Sequence, residues 1–336
     1  MKGSILAGLA ATTAMMMVGC TPAPSGGTDG SLPPKPEGAT ATGTGIEKPK
    51  IAVVIPTATH GWTGGVVYWA EKTAKDMAGD ADIKVFASDS PDKQAADLAN
   101  IATQGFDGLV ILSFDPTAIT PAVKTARDSF KYIVSVDRGL SEPLADVWLR
   151  GDNEKFGSEA ATFMADKLGG KGKILVLRGM AGPVDEDRVK GFKSVMDGIK
   201  GVQILDMQPG KWSQDEAYKV TQNLLLKYKE VDAIWAADDD MAVGAAKALA
   251  EAGRTNVWLV GGGGSKDVIK KVMDGDAMFP ATVTYSPKMI ALGIERCVAD
   301  LKAGKKSTGT QVDDVLPVEL VKPDNARDHY FPESVY

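Results

Sequence analysis

Residues 53–65, VVIPTATHGWTGG, decide how the rest of the chain is read. An unbroken apolar run stops at Pro56, and a small-residue loop follows with a histidine, a tryptophan and three glycines. An apolar run without alternation is a strand buried on both faces, the habit of a parallel sheet covered by helices. The pattern recurs outward from this stretch. IKVFA, GLVILSF, YIVSVD and VWLRGD, then KILVLRG, VQILDMQ, AIWAAD, VWLVGG and PATVTY, are short β-branched runs. Between them, residues 65–78, 93–103, 118–129, 154–168 and 187–199 have helical spacing. The series runs twice, with a change of lobe near Gly151 and Asp152. The right-handed crossover rule then gives open doubly wound sheets, so the expected class is α/β with two Rossmann-like lobes.

The 336 residues, 44% hydrophobic and 24% charged, supply two cores of domain size. A formal net charge of -6 leaves no basic excess to meet a phosphate backbone, which argues against nucleic acid as a partner. Ahead of the strands, MKGSILAGLAATTAMMMVGC reads as a secretory signal over residues 1–19, too short to span comfortably. Gly19 before Cys20 resembles a bacterial lipobox, with Met17 where leucine is usual, and implies lipidation of Cys20; the alternative is a plain signal peptide. Residues 20–50, rich in Pro, Gly, Ser and Thr, read as the lipidated cysteine and a disordered tether. Cys297 is the other cysteine, so no intramolecular disulfide is expected if Cys20 carries lipid, and it reads as a small buried apolar residue. Later segments are too short or too polar to cross a membrane as helices, so attachment would rest on the lipid.

In open parallel sheets the ligand sits beyond the carboxyl ends of the strands. The residues there are 56–62, 113–116, Asp137 and Arg138, 179–187, Trp212, 238–240, 261–265 and Tyr285. Since they come from both halves of the chain, they converge only in a cleft between lobes. GWTGG lacks the phosphate-loop spacing and any Lys or Arg, and GGGGS at 261–265 has no following GK. Two histidines, His60 and His329, and an ADDDMA run without calcium-loop spacing give no metal motif. His60 pairs on paper with Asp137 or Asp238, but no nucleophile motif accompanies them. The expectation is a binding protein, not an enzyme, with neither metal nor cofactor. Carbohydrate fits best: apolar C–H faces stack on flat rings while hydroxyls meet charged and polar groups. Trp62 and Trp212 come from opposite halves and would sandwich a sugar ring, with His60, Asp137, Arg138, Glu186 and Asp238 at its hydroxyls.

From Ile51 to about Val321 the chain resembles the periplasmic sugar-binding proteins of the ribose/galactose type, relatives of the lac-repressor ligand domain. IAVVIPTATHGW, GFDGLVILSFDP, VDRG, RVKGF and AADDDMAVGAAKAL carry the resemblance. It implies a periplasmic binding protein of type I with a hinge of three crossings, near 151–152, 284–285 and 308–312. The lobes would be 51–151 plus about 285–310, and 152–284 plus about 311–336. It also implies His60 and Trp62 as first-lobe contacts, Asp137 and Arg138 on hydroxyls, Trp212 as the second stacking ring, Asp238 on the usual Asn or Asp, and Tyr285 as a hinge-side polar contact. Two departures stand out: Glu186 falls where such proteins often have Arg, and Gly263 stands where the motif GFD would supply an Asp. A signal and linker replace the repressor's helix-turn-helix. The implied role is an extracytoplasmic, monomeric, lipid-anchored solute-binding protein that delivers a monosaccharide or polyol to an ABC importer permease. The alternatives are a sugar sensor feeding a chemoreceptor or histidine kinase, and a binder of an amino sugar or other small polar ligand.

Overall fold

The structure, a computed structural model, describes residues 44–336. The expected signal, Cys20 and most of the tether lie outside the described residues. The first lobe opens with β1 (Lys50–Pro56), α1 (Gly61–Asp76), β2 (Asp82–Ser88), α2 (Pro91–Ile101), β3 (Gly108–Leu112), α3 (Pro116–Ala126), β4 (Tyr132–Val136) and β5 (Val147–Gly151). The second holds α4 (Asn153–Lys167), β6 (Gly172–Arg178), α5 (Pro183–Met196), β7 (Val202–Pro209), α6 (Gln214–Lys227), β8 (Ala233–Ala236), α7 (Asp239–Glu251), β9 (Trp258–Val260), α8 (Lys266–Met273) and β10 (Thr282–Val283). The chain then runs through α9 (Met289–Lys302), β11 (Val312–Leu316) and β12 (Leu320–Val321).

The first sheet has the order β11-β5-β4-β3-β1-β2 and is parallel throughout. The second has the order β7-β6-β8-β9, also parallel. In both, the first strand lies inside the sheet and the order reverses beside it, which opens a crevice at its carboxyl end. β1 shows why the sheets fold this way. Ile51, Val53 and Ile55 enter the core on one face, and Ala52 and Val54 enter a second core on the other. The side chains of a strand alternate, so an apolar run is stable only with helices on both faces. Here α1 and α9 cover one face, and α2 and α3 the other. In the second sheet α4 packs on α5, and α6 on α7.

Two expectations shift. α1 begins at Gly61, four residues before the expected helix, because His60 is extended (φ -157°) and the Thr63 hydroxyl accepts its N–H at 3.1 Å. Trp62 therefore stands in the first helical turn and not in a loop. The last crossing also moves. Residues 312–316 pair with β5, so they belong to the first sheet, and the chain returns to the second lobe only after Leu316, where β12 pairs antiparallel with β10. VDDVL is largely exposed and carries two acids, so apolar patterning does not reveal it as a strand. Asp313 instead meets Arg150 on β5 through two hydrogen bonds of 3.0 and 2.8 Å.

Candidate functional site

Both switch-point crevices open into one cavity, lined by His60, Trp62, Asp137, Arg138, Val184, Arg188, Trp212, Asp238, Gly263, Tyr285 and Tyr336. Seven of the eight residues expected to bind ligand are thus brought together. Trp62 is 7% exposed, and its ring N–H donates to the Tyr285 carbonyl at 2.8 Å. The indole is fixed by that bond, which leaves its face for stacking. Asp137 follows β4 in the left-handed conformation (φ 59°), a strained geometry for a residue with a side chain, and its carbonyl accepts from the Trp148 ring N–H at 2.9 Å. Its Oδ1 accepts from the Tyr285 hydroxyl at 2.6 Å, and its Oδ2 lies 3.7 Å from Arg138 Nε. Arg138 is held by the carbonyls at the end of β3, Ser113 at 3.3 Å and Phe114 at 2.7 Å, both on Nη1. Those contacts leave Nη2 uncommitted.

Tyr285 joins the lobes. Its hydroxyl bonds Asp137 of the first lobe and accepts from Asn153 Nδ2 of the second at 3.2 Å. Burial, and after it the charge of Asp137, pushes the phenol far up, so it stays a neutral donor. The ring fits because position 151 is glycine: a methyl group there would fall 2.2 Å from it.

From the second lobe, Trp212 adopts φ 58° beside Lys211 at φ 57°. Its indole lies against Gly179 at the end of β6, where a methyl group would come within 1.8 Å of the ring. Asp238 caps α7, accepting the Met241 N–H at 2.8 Å. Desolvation, and then the neighbouring charge of Asp240, raises its carboxyl well above the usual range. Asp239 turns away from the cavity and staples the second sheet: Gly264 and Ser265 N–H and the Thr282 hydroxyl donate to it at 3.0, 2.8 and 2.7 Å. Burial lifts it to about 6 despite these bonds.

Glu186 is the exception. It is exposed and absent from the cavity wall. On α5 the cavity is met by Val184 and Arg188, one turn apart on one face, whereas 186 lies nearly opposite. The arginine found wanting at 186 is supplied at 188. Arg188 is 4% exposed and donates to Asn153 Oδ1 at 2.9 Å and the Ala237 carbonyl at 2.6 Å. Its guanidinium lies over the rings of Phe156 and Tyr285, at 3.9 and 4.3 Å. The RVKGF motif held the signal, since Arg188 is its first residue, but its helical phase was set two residues early. Tyr336 was missed, and Asp240, though within the strand-end stretch 238–240, was not singled out. His60, Asp238 and Asp240 offer polar atoms within 4.8 Å of one another, though no sequence spacing announces them.

Cys297 sits buried in the first lobe, its thiol pushed up by burial, consistent with an apolar packing residue.

The sequence pattern of the family described as periplasmic binding protein domain matches residues 51–306. A ribose import binding protein from Salmonella typhimurium is 31% identical over 284 residues, covering 84% of this chain and 93% of that protein. A crystal structure of an ABC transporter solute-binding protein from Mycobacterium smegmatis with bound glycerol aligns with a TM-score of 0.76 at 27% identity, covering 85% of this chain and 98% of that one. A periplasmic solute-binding protein from Actinobacillus succinogenes with bound D-allose has a TM-score of 0.75 at 24% identity, covering 84% and 100%, and shares the fold.

Proposed function

This chain belongs to the family of periplasmic binding protein domains, and from that premise we propose that it is the extracytoplasmic solute-binding component of an ABC importer, taking a monosaccharide or polyol into the cleft between its lobes. One observation carries the reading. Two indoles and a set of carboxylates and guanidiniums, drawn from the strand ends of both sheets, face a single cavity. That is the chemistry of a polyhydroxylated ligand, with C–H faces against aromatic rings and hydroxyls against Asp137, Arg138 and Asp238. His60 and Trp62 would grip from the first lobe, Trp212 from the second, and Tyr285 would sit at the hinge. The family match and the related ribose import binding proteins support binding without catalysis. The related ribose import binding proteins support delivery to a permease.

Anchoring through lipid on Cys20 and the 20–50 tether belongs to the same proposal. Among the described residues no helix is long and apolar enough to cross a membrane. Ligand contacts from both lobes favour the closed form, and only affinity that differs between open and closed states drives closure.

Isothermal titration against pentoses, hexoses, polyols and inositols tests the assignment. Saturable binding of at least one is expected, and no binding across the panel would remove carbohydrate as the ligand class. The Asp240 oxygen beside His60 that lacks a hydrogen-bond partner favours a second reading, a ligand carrying an amino group. D-Glucosamine in the same panel separates the two: tighter binding than its neutral parent sugar selects the amine.

A further inference from the structure

Residues 331–336, FPESVY, come back into the cleft after the last crossing. Phe331 packs edge-on against Trp69 of α1, with ring centroids 6.4 Å apart. Lys266 at the start of α8 donates to the Ser334 carbonyl at 2.6 Å, and the Tyr336 N–H donates to the Ser334 hydroxyl at 3.2 Å. The segment thus touches both lobes, and it ends with a tyrosine ring only 6% exposed on the cavity wall.

Three glycines make the space. A methyl group at Gly61 would lie 2.9 Å from the Tyr336 ring, one at Gly65 would lie 3.0 Å from its Cβ, and one at Gly263 would lie 2.3 Å from its hydroxyl oxygen. Two come from the first lobe and one from the second, so the ring is seated where the lobes meet. Position 263 is also where the resemblance leads one to expect an aspartate. The Tyr336 hydroxyl occupies the start of the path that such a side chain would take.

The polar atoms around it are unmatched. Among the described residues, the Tyr336 hydroxyl, both ring nitrogens of His60 and Oδ2 of Asp240 have no hydrogen-bond partner. Asp240 is 6% exposed, its other oxygen accepts from Gln214 at 3.0 Å, and His60 Nδ1 is 3.7 Å from Oδ2. Buried donors and acceptors left unpaired are costly, so such a group points to what it is meant to meet. A hydroxyl both donates and accepts, which suits a ligand hydroxyl to a carboxylate oxygen and to a phenol alike.

We propose that Tyr336 is a ligand-contacting, specificity-determining residue of the cleft, its hydroxyl standing in for the side chain that Gly263 lacks and binding a ligand hydroxyl alongside Asp240 and His60. This rests on the carbohydrate reading above. It adds a size limit. The cavity volume is about 50 Å³, and at roughly 10–15 Å³ per enclosed water on the same measure it holds about four waters, room for a compact ligand. The Tyr336 ring is the wall that sets this limit on its side.

The test is calorimetric titration of the full chain, Tyr336→Phe and Tyr336→Ala with glycerol, xylitol, D-ribose, D-allose and myo-inositol, with thermal melts as the folding control. Tyr336→Phe keeps the ring and removes only the hydroxyl. It is expected to weaken the preferred ligand about tenfold with an unchanged melt, while Tyr336→Ala shifts preference toward the larger members. If the wild type binds a panel member and Tyr336→Phe binds it equally well, the carbohydrate reading stands and this proposal is overturned. If the wild type binds none of them, the carbohydrate reading fails and takes the proposal with it.

Discussion

Trp62 has committed its ring nitrogen to the Tyr285 carbonyl, so what it offers a ligand is an aromatic face. Trp62→Ala removes that face, and Asp137→Ala removes a carboxylate oxygen while releasing the Tyr285 hydroxyl from its 2.6 Å bond. Each is expected to weaken ligand binding at least tenfold by calorimetry, and unchanged affinity in both would displace the site. Gly179→Ala tests the opposite wall. Its methyl group would fall 1.8 Å from the Trp212 ring, and relief of such overlap typically costs about 1–3 kcal/mol. The ring must move, so tenfold weaker binding with a small loss of melting temperature is the expected pair of results; full affinity would show that Trp212 does not stack. At this scale the site was legible wherever a residue lies within four positions of the carboxyl end of a strand, as His60, Asp137, Trp212 and Asp238 do. It was illegible where side-chain direction depends on helical phase, as with Glu186 against Arg188. It was illegible too where a contact arrives from far along the chain, as with Tyr336.

The amino end of α7 shows what one element can do. Asp238 and Asp239 are both buried there, with carboxyls raised above the ordinary value of 3.8 and Asp239 reaching about 6. A carboxyl raised on folding prefers to be protonated in the folded state. Its stabilising contribution is full below the unfolded value and is lost as pH rises through the folded one. The ligand-free protein should therefore melt at higher temperature as pH falls from about 7 to 5, and a flat or falling melting temperature over that interval would contradict this. Elements were legible in proportion to their apolar content. Strands β1, β3, β4, β6 and β8 announce themselves because both faces are buried. β11 does not, since it is held at an edge by backbone pairing and the Asp313–Arg150 contact. The start of α1 was hidden because its cap is a histidine assisted by Thr63, an uncommon N-cap choice.

Across the whole molecule, Tyr285 ties segments of the two lobes together through polar bonds at the hinge. The Trp62, Asp137 and Asn153 bonds to Tyr285 all cross between segments that ligand must hold together. Small-angle scattering should therefore show a smaller radius of gyration with saturating ligand than without it, and the same radius in both would argue against closure. The two-lobed plan was legible from the doubled strand–helix series, but the place of the last crossing was not.

α9 buries Ile290, Ile294, Cys297, Val298 and Leu301 against the first sheet, yet it is made about 140 residues after β5 ends at Gly151, since 289 − 151 = 138. On a ribosome adding roughly 5–20 residues per second, the half of the protein synthesised first keeps the part of one sheet face beyond α1, over β3 and β4, bare for about 7–30 seconds. The second lobe forms β6–β10 and α4–α8 as one continuous stretch and waits only for β12 and the residues after it, which pair with β10 and pack on α8. The lobe born first is thus not the one whose sheet is covered first, and a nascent chain halted before residue 289 should present the surface of its first sheet that α9 later covers to whatever binds exposed apolar surface.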